Sequence, residues 1–152
     1  MTLMEKISAD LKSAMKSGNK TRLETLRTIR AALMEKEIEK RGSGKPMSAE
    51  DEIGVVSSAA KKRKESIDLF QKGGRPDLVE QESQELAIIQ EYLPKQMSEE
   101  EVRKVIQEVI TQSGATTPAD FGKVMPGVMK ILKGKADGKL IQDLVKKTLG
   151  AP

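Results

Sequence analysis

The amino-acid sequence predicts an all-α protein. Charged residues make up 33% of the 152 positions, whereas only one Tyr and two Phe are present, so the core has to be aliphatic. An aliphatic core combined with abundant Lys, Glu and Gln is typical of helices with charged surfaces rather than of strands. Apolar residues recur three or four positions apart, the spacing of one buried helix face. Glycine, proline and capping residues divide this pattern into seven segments. They predict a four-helix bundle-like domain followed by a three-helix domain.

The first two helices are predicted from regular apolar spacing. The first carries an apolar residue at every fourth position, namely Leu3, Ile7, Leu11 and Met15. Gly18-Asn19 then supplies a stop, so we expect a helix over residues 3–17. The second stripe consists of Leu23, Leu26, Ile29, Leu33 and Ile38. Its segment contains no Gly or Pro, so we expect one long helix that ends at the loop over residues 41–46.

A capping pattern marks the start of helix three. Ser48 is followed three positions later by Asp51, and such a pair satisfies amide groups that a helix start leaves without partners. The apolar stripe is Ile53, Val56, Ala60, Ile67 and Phe70. Arg63 occupies one position of this stripe. Gly73-Gly74 is expected to end the helix.

Two prolines bound helix four, and a second capping box follows it. Pro76 suits the first turn, and Pro94 disfavours helical geometry at the residue before it, so the helix should end near Tyr92. Ser98–Glu101 is a stronger capping box, whose acidic side chains also oppose the helix dipole. We therefore predict a domain boundary near residue 96, with domains over residues 1–96 and 97–152.

The last three helices carry shorter stripes. Helix five has Val102, Val105, Ile106, Val109 and Ile110. Thr117–Asp120 opens helix six, whose stripe is Phe121, Val124, Met125, Val128, Met129 and Leu132. Pro126-Gly127 interrupts it, which predicts a bend or two short helices. Gly134 ends this element, Asp137 is a candidate N-cap, and helix seven carries Leu140, Ile141, Leu144, Val145 and Leu149.

Composition excludes several function classes. Without Cys there is no disulfide, thiolate metal site or cysteine nucleophile, and without His the usual base near neutral pH is missing. The amino-terminal residues lack the apolar core of a secretory signal, and no stretch approaches the roughly 20 apolar residues of a membrane span. By elimination we expect a cytoplasmic protein with no membrane partner.

Two local patterns are candidates for chemical sites. Ser57 and Ser58 lie within one helical turn of Lys61, which makes them the only candidate pair of nucleophile and base. The amine of Lys61 adjoins three further cations, so nothing indicates the burial that a basic amine needs. Glu99–Glu101 point in different directions from a helix, and capping already explains them. We predict no catalytic residue, no metal site and no cofactor.

The net charge is concentrated at the end of the chain. Residues 114–152 hold seven lysines and three aspartates, whereas the part of the chain before them holds 20 basic and 20 acidic side chains. The whole excess of +4 therefore belongs to the last quarter. Such a patch favours a polyanion-binding surface, and the alternative is an ordinary solvated face.

The segment from Phe121 to Lys139 joins a buried stripe to a basic turn that contains glycine. The turn is flanked by Lys130, Lys133, Lys135 and Lys139. The first amide groups of helix seven also carry partial positive charge and can meet a phosphate. The near absence of aromatic residues leaves no platform on which single-stranded bases could stack, so folded RNA read by shape and phosphate is the better fit.

These residues resemble the signature of the GatB/YqeY family. In that family a Val-Met-Lys-x-x-Lys-Gly-Lys-Ala run precedes the last helix, and residues 128–136 match it. Leu26-Arg27-Thr28-Ile29-Arg30 and Glu91-Tyr92-Leu93-Pro94-Lys95-Gln96-Met97-Ser98 match as well. The resemblance to free-standing YqeY proteins covers essentially the whole chain.

The resemblance implies a helical bundle followed by a three-helix domain similar to the tail of the amidotransferase B subunit. In that subunit the tail holds the outer corner of the misacylated tRNA, while the chemistry takes place in parts that this chain lacks. The RNA-contact role carries over to Lys130, Lys133, Gly134, Lys135 and Ala136, and charge adds Lys123 and Lys139 as neighbours. Gly138 departs from the B-subunit pattern, in which Pro is common.

The expected function is a non-catalytic tRNA-binding adaptor near glutamine- or asparagine-tRNA formation. One alternative is a protein-binding accessory subunit of an amidotransferase or an aminoacyl-tRNA synthetase, which the balanced charges before the basic quarter would suit. The other is a carbon–nitrogen ligase or amidase that uses glutamine as amido donor, as the family label states.

Overall fold

The structure, a computed structural model, describes residues 1–150 and is all-α over that range, as predicted. Seven α-helices follow in order: α1 Leu3–Ser17, α2 Lys20–Gly42, α3 Ala49–Lys72, α4 Pro76–Gln90, α5 Glu99–Ser113, α6 Phe121–Leu132 and α7 Gly138–Thr148. A short 3₁₀ turn, Pro118–Asp120, precedes α6. None of the described helices is both long and apolar enough to cross a membrane.

The predicted capping boxes are present at α3 and α5. The Ser48 hydroxyl accepts from the Asp51 amide at 3.0 Å, and the Asp51 carboxylate accepts from the Ser48 amide at 3.0 Å. Ser98 and Glu101 exchange the same two bonds at 3.2 Å and 3.0 Å. Each pair satisfies amide groups that the first turn of a helix leaves without partners, which is why both starts were visible in the sequence.

Of the two outcomes predicted at Pro126, a bend or two short helices, the second is wrong, because α6 is one helix from Phe121 to Leu132 with Pro126 inside it. Pro126 lacks an amide proton, so the carbonyl four residues earlier loses its helical partner. The helix continues because Val124 before the proline and Val128 after it are both fully buried in the same core. Burying two such side chains stabilises by about 3–6 kcal/mol, which matches or exceeds the roughly 3 kcal/mol cost of an interior proline.

The chain divides into two compact units between Pro94 and Lys95. The first unit contains α1 to α4 around an aliphatic core formed by Ile7, Ala14, Leu26, Ile29, Leu33, Val56, Ala60, Ile89 and Tyr92. Tyr92 is the one aromatic residue of that core. Its hydroxyl donates to Asp10 Oδ2 at 2.5 Å, and the adjacent Glu91 carboxylate lies 2.6 Å from Arg22 Nη1. These contacts tie the end of α4 to α1 and α2, which gives Glu91-Tyr92 a structural role.

The position of Arg63 in an apolar stripe is explained by two carboxylates of α4. Its Nη1 lies 3.2 Å from Glu82 Oε2 and 3.2 Å from Glu85 Oε2. The carboxylate side chains are only 15% and 13% exposed, so a cation is needed opposite them. We call these three residues the α3–α4 triad.

The second unit contains α5, α6 and α7 around its own core. The buried residues are Val102, Ile106, Ile110, Val124, Val128, Leu132, Ile141, Leu144, Val145 and Leu149. All of them belong to the apolar stripes predicted for the last three helices. This core fixes the ends of α6 and α7, between which the basic turn lies.

Candidate nucleic-acid interface

The basic turn is held between two helices whose inner faces are fully buried. Val128 and Leu132 anchor the end of α6, and Ile141 anchors the start of α7, and all three side chains have no exposed surface. Residues between these anchors point outward because a helix places only every third or fourth side chain on one face. The core therefore directs the polar positions of this segment into solvent.

The turn itself covers residues 133–137 and depends on one left-handed residue. Gly134 has φ = 79°, a region that glycine enters freely but in which a Cβ crowds the following carbonyl oxygen. The Lys135 amide donates to the Leu132 carbonyl at 2.9 Å and closes the turn directly after α6. The glycine of the Lys-Gly-Lys run is thus required by the backbone, independently of any ligand.

Residues that precede α5 hold this turn in place. The Gln96 side-chain amide donates to the Gly134 carbonyl at 2.9 Å, and the Met97 backbone amide donates to the Lys135 carbonyl at 2.9 Å. Met97 also packs against the core of the second unit. Sequence reasoning treated residues 96–97 only as a boundary and missed this role. The sequence offered one indication of this contact, because the segment that contains residues 96–97 and the basic turn both match motifs of the same family.

The five predicted lysines are all exposed, and their surroundings differ. Among residues 1–150, no carboxylate forms an ion pair with Lys130, Lys133, Lys135 or Lys139. Lys123 Nζ lies 3.9 Å from Asp120 Oδ1, so its charge is partly compensated. Two helical turns, about 10 Å, separate Lys123 from Lys130 along α6. The structure therefore keeps four cations around the turn and sets Lys123 apart.

The side chain of Ala136, another predicted contact, has a packing role. It is half-buried and lies against the core of the second unit. Lys146, which belongs to the same basic quarter of the sequence, lies with its amine 5.6 Å from the centre of the Phe121 ring, a cation–π contact at the start of α6. Ala136 can therefore meet a ligand through its backbone rather than its side chain. Lys146 is held at the start of α6, whereas the turn follows the end of α6.

The start of α7 lacks a side-chain cap. Asp137 is the N-cap residue, as predicted, with φ = −64° and ψ = 130°, but its side chain makes no capping hydrogen bond. The first free amide groups of α7 therefore remain available beside Lys139, and an anion is stabilised at such a helix start. A Cβ at Gly138 would meet nothing within 4 Å, so the approach to these amides is open.

A different arrangement protects the start of α6. The Thr116 and Thr117 amides donate to Asp120 Oδ2 at 3.0 Å and 3.3 Å. These backbone hydrogen bonds, the one from Thr116 foremost, hold the pKa of Asp120 below its ordinary value. A carboxylate thus occupies this helix start, which makes it a poor place for a second anion.

The candidate catalytic pair is not assembled. The Ser57 hydroxyl is buried and has no hydrogen-bond partner in the described part of the chain, whereas Ser58 and Lys61 are exposed. A general base has to lie within hydrogen-bond reach of the hydroxyl that it activates, and the exposed Lys61 forms no hydrogen bond with the buried Ser57 hydroxyl. The geometry offers no activated nucleophile at these three residues.

Three residues of the remaining charged runs have structural partners. Glu101 completes the capping box of α5, and Glu99 Oε1 lies 2.5 Å from Arg103 Nη2. Over residues 1–150, no group of three acidic side chains is placed to hold a metal ion. Arg63, which lies in the run of four cations at residues 61–64, pairs with Glu82 and Glu85 of α4.

Comparison with curated proteins finds relatives that share one name. A protein of Pyrenophora tritici-repentis, "Altered inheritance of mitochondria protein 41, mitochondrial", is 29% identical over 154 residues, which cover 98% of this chain and 82% of the relative. The protein of that name from Kluyveromyces lactis is 31% identical over 136 residues, covering 82% and 72%. The one from Eremothecium gossypii is 38% identical over 87 residues, covering 57% and 46%.

These relatives contradict the predicted cytoplasmic location, because all of them are named as mitochondrial proteins. The prediction was reached by excluding a secretory signal and a membrane span. That elimination never tested for import into an organelle, and an imported protein of the organelle interior passes both of its criteria.

Family membership is shown over nearly the full length. The sequence model of one family, described as Yqey-like protein, matches residues 4–149. The match includes both compact units, the Glu91–Ser98 segment and the basic turn that this segment holds. The chain therefore belongs to the YqeY-like family.

Proposed function

We propose that the chain is a non-catalytic tRNA-binding adaptor and that the basic turn between α6 and α7 contacts the RNA backbone. One observation carries the proposal: four lysines, none paired with a carboxylate of residues 1–150, surround a turn whose backbone is fixed by Gly134 and by the residues before α5. Because the backbone of the turn is already held, only the lysine side chains have to be ordered on binding, so more of their attraction for phosphate contributes to affinity.

The supporting features are charge and family. The net charge of +4 belongs to the same quarter of the chain. Membership of the YqeY-like family fits the resemblance of the second unit to the tail of the amidotransferase B subunit, which holds tRNA. The proposal makes no use of Ser57 or Lys61, because one is buried and the other is exposed.

The test is binding of tRNA to the full chain over a salt series. If the four lysines each neutralise one phosphate, raising the salt from 50 to 200 mM should weaken binding about 150-fold. The Lys130→Ala/Lys133→Ala/Lys135→Ala variant should bind about 10- to 100-fold more weakly, and the slope of log affinity against log salt should fall by about 2.7. Because the relatives are named as mitochondrial, organellar and bulk tRNA should be compared.

The chain offers a matched control for this triple variant. Lys61, Lys62 and Lys64 are also exposed and belong to the first unit. Replacing these three by alanine changes the net charge equally. Affinity that falls as much in the control as in the turn variant would show a general charge effect and would reject the basic turn as the contact.

A further inference from the structure

The first unit carries a local excess of positive charge that its overall balance hides. Residues 8–31 hold six basic and two acidic side chains, whereas the other residues before position 114 hold 14 basic and 18 acidic ones. The segment comprises most of α1, its connection to α2 and the first half of α2. Its cations outnumber its acidic residues by four, which equals the excess of the basic quarter at the end of the chain.

One cation and one acidic residue of this segment are engaged in the bundle. Arg22 Nη1 lies 2.6 Å from Glu91 Oε2, and Arg22 Nη2 lies 4.0 Å from Asp10 Oδ2. The Asp10 carboxylate also accepts from the Tyr92 hydroxyl. These groups tie α1 and α2 to the end of α4, so neither charge is free to meet a ligand. Five cations and the carboxylate of Glu24 remain.

The five remaining cations have no acidic partner among residues 1–150. We call them the α1–α2 cations: Lys12, Lys16, Lys20, Arg27 and Arg30. All except Arg30 are exposed. The Arg30 Nε donates to the Ser8 hydroxyl at 3.3 Å, and this partner is neutral. The positive charge of all five therefore faces solvent or lies at its edge.

Few carboxylates lie near the α1–α2 cations. Glu24 lies one helical turn from two of them and offsets about one of the five charges. Glu5, at the start of α1, accepts from the Thr2 amide in its capping box. The other acidic residues of α2, at positions 35, 37 and 39, lie at least five residues beyond Arg30, about 8 Å along the helix. The positive excess is therefore local.

The contact between Ser8 and Arg30 shows which sides of α1 and α2 form one surface. The helices run antiparallel, because two residues connect them and this contact joins positions 22 apart. One turn from this contact toward the connection, Lys12 of α1 lies opposite Arg27 of α2. The other two cations follow Lys12 by four residues and precede Arg27 by seven, and both spacings keep side chains on one helix face. All five thus belong to one surface.

We propose that the α1–α2 cations form a second contact for the phosphate backbone of RNA, in addition to the basic turn. This contact rests on the proposed tRNA-binding function and adds a surface on the first unit. From Lys20 to Arg30 the cations extend about 15 Å along α2, which suits an extended polyanion rather than a single phosphate. Guanidinium groups such as those of Arg27 and Arg30 bind phosphate oxygens in pairs.

Two basic surfaces in one chain strengthen binding to one RNA. Once the first surface is bound, the second meets the same molecule at a high effective concentration. The four lysines of the basic turn alone predict a slope of log affinity against log salt of about −3.6. With the α1–α2 cations, less the charge that Glu24 offsets, the slope should approach about −7. A wild-type slope near −3.6 would contradict the second contact.

Binding of tRNA by full-chain variants tests the second contact directly. The α1–α2 variant, Lys12→Ala/Lys16→Ala/Arg27→Ala, should bind about 10- to 100-fold more weakly and lose about 2.7 of the slope. The control variant Lys61→Ala/Lys62→Ala/Lys64→Ala also loses three exposed cations of the first unit, and its affinity should change by no more than about threefold. Alanine favours helix, so circular dichroism should report native helix content for both. Equal effects of the two variants would overturn the proposal.

Comparison with the turn variant separates the second contact from the proposed function. If the turn variant binds more weakly and the α1–α2 variant does not, only the second contact is rejected. If only the α1–α2 variant binds more weakly, the second contact stands and the basic turn is rejected. Wild-type chain that does not bind tRNA would reject both.

Backbone protection and vesicle binding identify the partner of this surface. Hydroxyl-radical cleavage of bound tRNA should show two protected stretches, of which the α1–α2 variant loses one and the turn variant the other. A single protected stretch that the α1–α2 variant retains would overturn the proposal. Binding to vesicles that contain phosphatidylserine, lost in the α1–α2 variant while tRNA binding is unchanged, would assign the surface to a membrane instead.

Discussion

Replacing Gly134 by alanine tests whether the basic turn is fixed by its left-handed residue. At φ = 79° a Cβ costs about 1–2 kcal/mol, while the alanine also narrows the unfolded ensemble and returns about 0.4–1 kcal/mol. The steric cost is the larger effect, so the closed turn should be destabilised by about 1 kcal/mol relative to the open one. This corresponds to an increase of about fivefold in the equilibrium constant for opening. The Lys135 and Met97 amides report this opening, because both form hydrogen bonds of 2.9 Å in the turn.

The assay is native-state hydrogen exchange of these two amides in the full chain. Both should exchange about fivefold faster in Gly134→Ala, because their protection depends on the turn being closed. Gly138→Ala is the matched control, since Gly138 has no positive φ and a Cβ there meets nothing within 4 Å. Alanine also favours helix over glycine, so the control should leave or slightly raise the protection. Unchanged exchange in Gly134→Ala, or equal acceleration in both variants, would refute the reasoning.

Three further predictions concern stability and titration. Gly138→Pro should raise the free energy of unfolding by about 0.4–1 kcal/mol, because Gly138 is the first residue of α7, where proline is well tolerated. A lower midpoint temperature in thermal denaturation would contradict that placement. Tyr92, the only tyrosine, is buried and donates to Asp10, which raises the pKa of its hydroxyl. The absorbance of the ionised tyrosine should appear only well above pH 10. The stability that this hydroxyl contributes is present below pH 10 and is lost as the pH rises above it. Ionisation of Tyr92 near pH 10 in the folded protein would contradict the prediction. Arg63→Ala should lower the free energy of unfolding, measured by chemical denaturation, by about 1–3 kcal/mol, because it leaves two partly buried carboxylates without a cation. Replacing all three residues of the α3–α4 triad by leucine should recover that loss. Failure to recover it would show that the ion pairs are themselves stabilising.

The sequence predicted the helices well where local chemistry sets their ends. Ser48 and Ser98 cap α3 and α5 through side chains three residues away, so the signal and the structure lie in the same turn. Gly18 is the left-handed residue after α1, as its position at the end of the stripe suggested. At Pro126 the local rule allowed either a bend or two short helices, and burial of residues on both sides of the proline keeps α6 one helix.

The candidate interface was predicted only in part. Exposure of the lysines follows from their positions between buried residues, and the glycine requirement of the turn follows from its backbone. The hydrogen bonds from Gln96 and Met97 to the turn join segments far apart along the chain, and no periodic or capping rule reports such a contact. The same limit applies to Arg63, whose carboxylate partners belong to α4 rather than to its own helix.

The sequence by itself determined that the chain is all-α, where most helices begin and end, where its excess charge lies and which family it belongs to. These properties depend on composition, on neighbours within one turn and on motifs of a few residues. The tertiary structure decided that α6 continues through Pro126, that residues before α5 hold the basic turn, and that Arg63 of α3 pairs with carboxylates of α4. Each of these depends on which distant segments share a buried surface, and burial is a property of the packed chain rather than of any local window.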